Sequence, residues 1–327
     1  MKAIQMTGYG TPSEVCQCVE VDDVGEPGPG EVVIAIEAAA INPADLLIIE
    51  GKYASKPPLP AALGIEGAGR IAAVGEGVDN PAVGDRVMSL ARANWTERVR
   101  VKAGLAVPMP AEADMLQLGM MKANPATAHL MLRDYVELEA GDWVIQNAAN
   151  SGVGRYLIAL ARRRGLKTVN LVRRESLARE LQNIGADVVV LDGDEVAERI
   201  AAATDGAAIK LAIDAIAGSA TLRLADCLAD GGVVVNYGLL SGEPCMIRSE
   251  HTVFHDISLK GFWLAKTMGE ITPRDLMAMY DDLSALIADG TLSVPVEATY
   301  GLDEIAAALD HAGREGRGGK VVLTPAS

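Results

Sequence analysis

The sequence predicts an α/β protein in which a doubly wound parallel sheet is inserted into a domain of mixed β-barrel character. Three observations predict it. From about residue 123 to 265, short apolar runs alternate with amphipathic helical stretches, the rhythm of βαβ units joined by right-handed crossovers. Residues 1–110 and the tail read instead as short strands broken by glycine and proline. The composition is globular, half hydrophobic and 22% charged, with 34 glycines against three Trp, seven Tyr and two Phe. Such a glycine-rich, aromatic-poor chain suits strand–turn–helix units better than a β-sandwich. At 327 residues about two domains are expected: a discontinuous one over residues 1–122 and 266–327, and an inserted one over 123–265.

The elements follow in order. Glu31 to Ala40 is dense enough in apolar residues for a strand, and Pro27-Gly28-Pro29-Gly30 before it is a turn cluster. Residues 64–78 carry glycines every few positions between Ile and Val, which suits tightly bent strands. Val83 to Val87 is a turn entering another strand, and residues 111–122 read as helical. In the inserted part, strands are expected at 142–149, 166–172, 187–191, 209–215, 232–237 and 259–264. Helices are expected at 151–164, 176–184, 194–203 and 219–229. The tail adds a long helix at 273–289, a strand near 294–299, a helix at 303–312 and a last strand at 320–324.

Charge and cysteine content exclude several classes. The net charge of −15 repels phosphate backbones, so no nucleic-acid partner is expected. The start of the chain shows no apolar signal segment, and no long uncharged apolar run suggests a membrane span. The four cysteines, Cys16, Cys18, Cys227 and Cys245, form no disulfide framework. A cytoplasmic location is the expectation. His251 and His255 share i, i+4 spacing, but no glutamate stands between them as in a metal-binding H-E-x-x-H, so they read as solvated or core histidines.

The turn after the first inserted strand runs Ala148-Ala149-Asn150-Ser151-Gly152-Val153-Gly154. A G-x-G-x-x-G dinucleotide fingerprint maps onto Ala149, Ser151 and Gly154, so only its last glycine is kept. The context supplies what the letters lack. An apolar strand precedes and a helix opens directly after, which aims backbone N–H groups at a diphosphate. About 20 residues further on, an NAD site would carry an acid. Here Arg173 and Arg174 follow the second strand, and cations there favour the 2′-phosphate of NADPH.

Several segments carry a family resemblance. They are residues 42–60 (NPADLLIIEGKYASKPPLP), 94–97 (NWTE), 124–128 (NPATA), 146–154 (QNAANSGVG) and 261–264 (GFWL), with Gly319-Lys320 near the end. The chain resembles the medium-chain dehydrogenase/reductase superfamily over essentially its whole length. Within it the chain is most similar to the mitochondrial-type trans-2-enoyl-thioester reductases, with quinone reductases nearby. The resemblance implies a GroES-like barrel domain and an inserted Rossmann domain. Zinc-dependent members carry Cys and His where this chain has Asn42 and Ile65, so no metal is expected, and Glu66 reads as structural.

The resemblance further implies NADPH contacts at Asn124, Thr127, Asn150, Ser151, Gly152, Val153, Gly154, Arg173, Arg174, Tyr237, Gly238, Phe262, Trp263, Leu264 and Lys320. Glu175 departs from the family's longer basic run. Tyr53 is implied as the catalytic acid, with Asn42 and Trp95 on the substrate side. Trp263 fits a place near the nicotinamide or packing in a core or dimer interface; Trp95 fits an acyl channel or packing. The chemistry is coherent: reducing an activated C=C needs hydride at the β-carbon, a proton at the α-carbon and a donor facing the developing enolate oxygen. The expected substrate is a small-molecule enoyl thioester, or alternatively a quinone or other α,β-unsaturated carbonyl. The apolar strand at 258–264 would be a liability if left bare, which suggests a homodimer.

Overall fold

The computed structural model describes residues 1–325. The chain forms two compact units, Met1–Ala123 with the chain from Pro273 onward, and Asn124–Thr272.

The first unit opens with β1 (Lys2–Met6), α1 (Pro12–Val15) and β2 (Cys16–Glu20). Its spine is β3 (Glu31–Ala40), seven of whose ten residues are buried. Then come α2 (Pro43–Ile49), β4 (Ala61–Ala62), β5 (Ala68–Val74), β6 (Arg86–Ser89), β7 (Arg98–Lys102), β8 (Ala106–Pro108) and α3 (Met115–Leu118). β3 pairs antiparallel with both β5 and β7. Gly69 in β5 passes so close to the Ala35 carbonyl that any side chain there would overlap it.

Two expectations change here. The helix expected over 111–122 is the single turn α3, capped by Asp114, whose carboxylate accepts from the Leu116 and Gln117 amides. It ends because Gly119 presses against Ala38, where a Cβ would sit 2.7 Å from the Ala38 Cβ. Met120 and Met121 are still fully buried, which accounts for their helix-like apolar spacing. Conversely, residues 43–49, for which the sequence pattern predicts no helix, form α2.

The second unit begins with α4 (Asn124–Asp134), also not anticipated. Both α2 and α4 have proline in the first turn after an asparagine, where the missing proline N–H costs nothing. Next come β9 (Trp143–Gln146), α5 (Gly152–Arg163), β10 (Lys167–Val172), α6 (Ala178–Asn183), β11 (Val188–Leu191), α7 (Val196–Ala203) and β12 (Ile209–Asp214). α8 (Ser219–Ala225), β13 (Val233–Asn236), α9 (Ser249–Val253), β14 (Ser258–Gly261) and α10 (Leu264–Glu270) complete it. The six strands are parallel, in the order β11-β10-β9-β12-β13-β14. That is a doubly wound sheet whose order reverses between β9 and β12. Its last strand is shorter than expected. It stops at Gly261, Phe262 turns inward against Tyr135 with ring centroids 6.5 Å apart, and Leu264 starts α10.

The chain then returns to the first unit with α11 (Pro273–Ala288), β15 (Val296–Tyr300), α12 (Ile305–Gly313) and β16 (Lys320–Leu323). β16 pairs with both β15 and β3, and α12 packs Ala308 and Leu309 into the same core as Ile34, Ile36 and Ile49. Among the described residues no helix is long and apolar enough to cross a membrane.

Candidate active site

In the second unit, β9 runs straight into the predicted turn. Ser151 caps α5, its Oγ accepting from the Gly154 amide at 3.1 Å. Gly154 is sterically required: a Cβ would lie 2.5 Å from the Ala149 carbonyl oxygen. Ala149 and Ser151 occupy the other two fingerprint positions without such crowding, since small side chains suffice there. Gln146 Nε2 ties the first turn of α5 to β10, donating to Gly154 O at 2.9 Å and to Asn170 Oδ1 at 2.8 Å. Arg155, buried on α5, donates from Nε to the Asn150 carbonyl and from Nη2 to Glu180.

The ends of three strands are stitched together by Asp214. This fully buried carboxylate accepts from Asn147 Nδ2 at 2.6 Å, Thr221 Oγ1 at 2.6 Å, Asn236 Nδ2 at 3.1 Å and the amides of Ile216 and Ala217. Sequence reasoning missed Asp214 and Arg155. Asp214 had a signal: Asn147, Asp214 and Asn236 each close an apolar strand with a polar residue.

Because the strands are parallel, the segments after their carboxyl ends share one edge of the sheet. That edge carries the 150–154 turn after β9, Arg173 and Arg174 after β10, Tyr237 and Gly238 after β13, and Phe262, Trp263 and Leu264 after β14. Burial pushes the Tyr237 phenol above its ordinary value. Gly238 lies against the Ala215 backbone, where a Cβ would meet the carbonyl oxygen at 2.5 Å. Arg173 and Arg174 are exposed, Phe262 is buried, and Trp263 is 42% exposed. Asn124 and Thr127 are buried on α4. The turn, with a helix N-terminus, tight glycines and cations at one sheet edge, fits a phosphorylated dinucleotide.

In the first unit, Tyr53 lies in the turn after α2, beyond Glu50, Gly51 and Lys52, its amide bonded to the Leu47 carbonyl at 3.1 Å. Its side chain is partly buried against the hydrophobic core. At the other end of α2 lies a buried polar centre. Asn42 Nδ2 donates to Glu66 Oε1 at 2.5 Å, and Lys320 Nζ donates to Asn42 Oδ1. Asp45 accepts from the Asn42 amide at 2.9 Å and the Ile65 amide at 3.1 Å. Burial pushes Asp45 up to about 7 and Glu66 above the usual carboxylate range. Lys122, its Nζ held by the carbonyls of Ile65, Leu90 and Ala91, is pulled down to about 8 by burial. Lys320 is also lowered by burial, with Glu66 acting against the shift. Trp95 is only 1% exposed, and its indole donates to the Ala40 carbonyl at 3.3 Å. It is a core side chain, and an acyl channel would have to be built without it.

The donor set around Asn42 does not fit zinc. Its members are an amide and a carboxylate already engaged with an ammonium, and a divalent cation there would meet the charge of Lys320. Among the described residues no cluster of three His, Cys, Asp or Glu is placed to hold a metal. The two histidines on and beside α9 pair instead with aspartates, His251 with Asp226 and His255 with Asp230, each at 2.8 Å.

Known proteins echo this architecture. Residues 28–111 match the alcohol dehydrogenase GroES-like domain, and residues 152–282 match the zinc-binding dehydrogenase family. The mitochondrial enoyl-[acyl-carrier-protein] reductase of Caenorhabditis elegans is 35% identical over 312 residues, 93% of this chain and 90% of that protein. The Arabidopsis thaliana protein of the same name is 33% identical, over 99% of this chain and 88% of its own. Among solved structures, the Escherichia coli quinone oxidoreductase complexed with NADPH superposes with a TM-score of 0.89 at 26% identity, covering 99% of this chain and 100% of that one.

Proposed function

Because the chain belongs to the mitochondrial enoyl-[acyl-carrier-protein] reductase family of the medium-chain dehydrogenase/reductase superfamily, we propose that it reduces the C=C bond of 2-enoyl thioesters with NADPH. The observation that carries the cofactor half is the Ser151–Gly154 turn, with Arg173 and Arg174 on the same sheet edge. Bound NADPH supplies the hydride for the β-carbon. The amides of Asn150, Gly152 and Val153 would hold its diphosphate, and the two arginines would pair with the 2′-phosphate. Tyr237, Gly238, Asn124, Thr127, the Phe262–Leu264 segment and Lys320 would complete the cofactor contacts.

Tyr53 is the acid in this reading. Its phenol delivers a proton to the α-carbon or donates to the thioester oxygen as charge develops there. Asn42 stands on the substrate side of this arm.

Likeness to the E. coli quinone oxidoreductase favours a second reading, NADPH-dependent reduction of quinones. One experiment separates the two: NADPH oxidation by the purified chain with crotonyl-CoA and, separately, 1,4-naphthoquinone. Preference for the thioester supports the first reading; turnover of the quinone alone replaces it with the second.

The active species is a homodimer. β14 is the terminal strand of its sheet, and Val253 and Phe254 beside it are 70% and 73% exposed, an apolar edge suited to pairing with its copy. Its thiols are unpaired, which suits a reducing compartment, the cytoplasm in our reading.

A further inference from the structure

We propose that Tyr9 is a positioning residue, which clamps the loop after α2 and so sets where Tyr53 stands. The proposal rests on the reductase reading above, since Tyr53 has a chemical task only there.

Between Tyr53 and β4 the chain has neither helix nor strand, and a stretch without a backbone ladder takes its path from side-chain contacts. Both ends of this loop are tied to the start of the chain. β4 pairs antiparallel with β1, Gln5 opposite Ala62 and Met6 opposite Ala61. At the α2 end, the Gly10 amide donates to the Ile49 carbonyl at 3.1 Å. Tyr9 follows β1 and precedes that second tie by one residue.

Its side chain meets the loop at three places. The ring lies against Gly51, so closely that a Cβ there would come within 3.3 Å of the ring atoms. Gly51 has φ +71°, the left-handed conformation that lets glycine turn the chain off the end of a helix. The Tyr9 hydroxyl donates to the Pro57 carbonyl at 2.6 Å. The Lys56 ammonium lies over the ring, 5.9 Å from its centroid. Contacts at 51, 56 and 57 bracket Tyr53, whose own amide is bound to the Leu47 carbonyl.

The two tyrosines have different tasks. Tyr53 packs partly against the hydrophobic core, whereas Tyr9 is 38% exposed and its hydroxyl proton is committed to Pro57. Tyr9 therefore acts through the loop and not as a second acid. A proton donor works only within hydrogen-bond reach of its target, and a displacement of about 1 Å can cost about 100-fold in rate.

The test is a double-mutant cycle on the full chain: Tyr9→Leu, Tyr9→Phe and Tyr53→Phe, with each Tyr9 change also combined with Tyr53→Phe. Each variant is measured for kcat and KM with crotonyl-CoA and with 1,4-naphthoquinone, and for NADPH affinity by fluorescence titration. The rate of tryptic cleavage after Lys52, which is exposed in this loop, reports the clamp without reference to activity. Tyr9→Leu removes both ring and hydroxyl. It should lower kcat with crotonyl-CoA about tenfold or more, leave the NADPH dissociation constant within about threefold, and speed cleavage after Lys52. Tyr9→Phe keeps the ring over Gly51 and should recover most of that loss. In the Tyr53→Phe background Tyr9→Leu should cost little more, because the group it positions is gone. Naphthoquinone turnover, which takes its proton from solvent, should fall less.

The proposal is overturned if Tyr9→Leu lowers kcat by the same factor with and without the Tyr53 hydroxyl, because Tyr9 would then act on something else. It is also overturned if NADPH affinity falls in step with kcat, or if cleavage after Lys52 is no faster. Should Tyr9→Leu fail to fold, Tyr9→Phe carries the same cycle: its loss of kcat must vanish in the Tyr53→Phe background. If the unmodified protein reduces neither acceptor, the reductase reading fails and takes the positioning role with it, while cleavage after Lys52 still judges whether Tyr9 clamps the loop.

Discussion

Gly154 and Tyr53 test the two halves of the site one residue at a time. A methyl group at Gly154 would overlap the Ala149 carbonyl, so Gly154→Ala forces β9 and α5 apart. It should cost about 1–3 kcal/mol of stability and weaken NADPH binding, both measurable by unfolding and titration. Tyr53→Phe keeps the ring and its packing. It should lower kcat for an enoyl thioester by roughly 10²–10⁴ and leave NADPH affinity intact. A quinone accepts hydride and takes its proton from solvent, so its turnover should fall far less. Near-normal thioester kcat in Tyr53→Phe would remove Tyr53 from the mechanism. Replacing both Arg173 and Arg174 by Ala should reduce the preference for NADPH over NADH at least about tenfold, as charge-assisted hydrogen bonds are worth roughly 1.5–3 kcal/mol. The thiols offer a check on burial. Cys16 and Cys227 are both pushed up to about 12 by burial, so both should escape alkylation near neutral pH until the chain is unfolded. Gly154 and the arginine pair could be read from the sequence because their spacing from a strand has meaning. Asp214, Asp45 and Lys122 could not, because a charged letter looks the same whether it faces water or a buried partner.

At the scale of elements, hydrophobic periodicity locates the parallel strands well, since the four inner ones are buried along most of their length and read as nearly continuous apolar runs. It failed where burial and helicity part company. Leu118, Met120 and Met121 are all buried, yet only the first lies in α3; backbone contact between Gly119 and Ala38 decides that end, and no local pattern records it. α2 and α4 were hidden for the opposite reason, as their Asn-Pro starts suggest turns. The cap of α5 gives an element-level prediction. Ser151→Ala removes the bond to the Gly154 amide and should cost about 0.5–2 kcal/mol. Since that bond closes the cofactor turn itself, the same variant should loosen the turn, seen as weaker NADPH binding. Unchanged stability and affinity would mean that the turn is held by Gln146 and Arg155 alone.

At the scale of the molecule, the apolar edge beside β14 makes its own prediction. Phe254→Glu should convert a dimer into a monomer by light scattering; a monomer already present in the unmodified protein at micromolar concentration would remove the homodimer from the proposal. The pairing of β16 with β3 has a consequence of timing. Lys320 and Asn42 are 278 residues apart, and the whole of the second unit is synthesised between them. A ribosome therefore releases Asn42, Glu66 and Lys122 long before Lys320, the last member of their buried centre. Until β16 is made, β3 lacks one antiparallel partner and the Asn42 side-chain oxygen lacks its donor, while the strands of the parallel sheet are already all synthesised. The last strand then arrives carrying both the missing β-pairing partner and the missing ammonium.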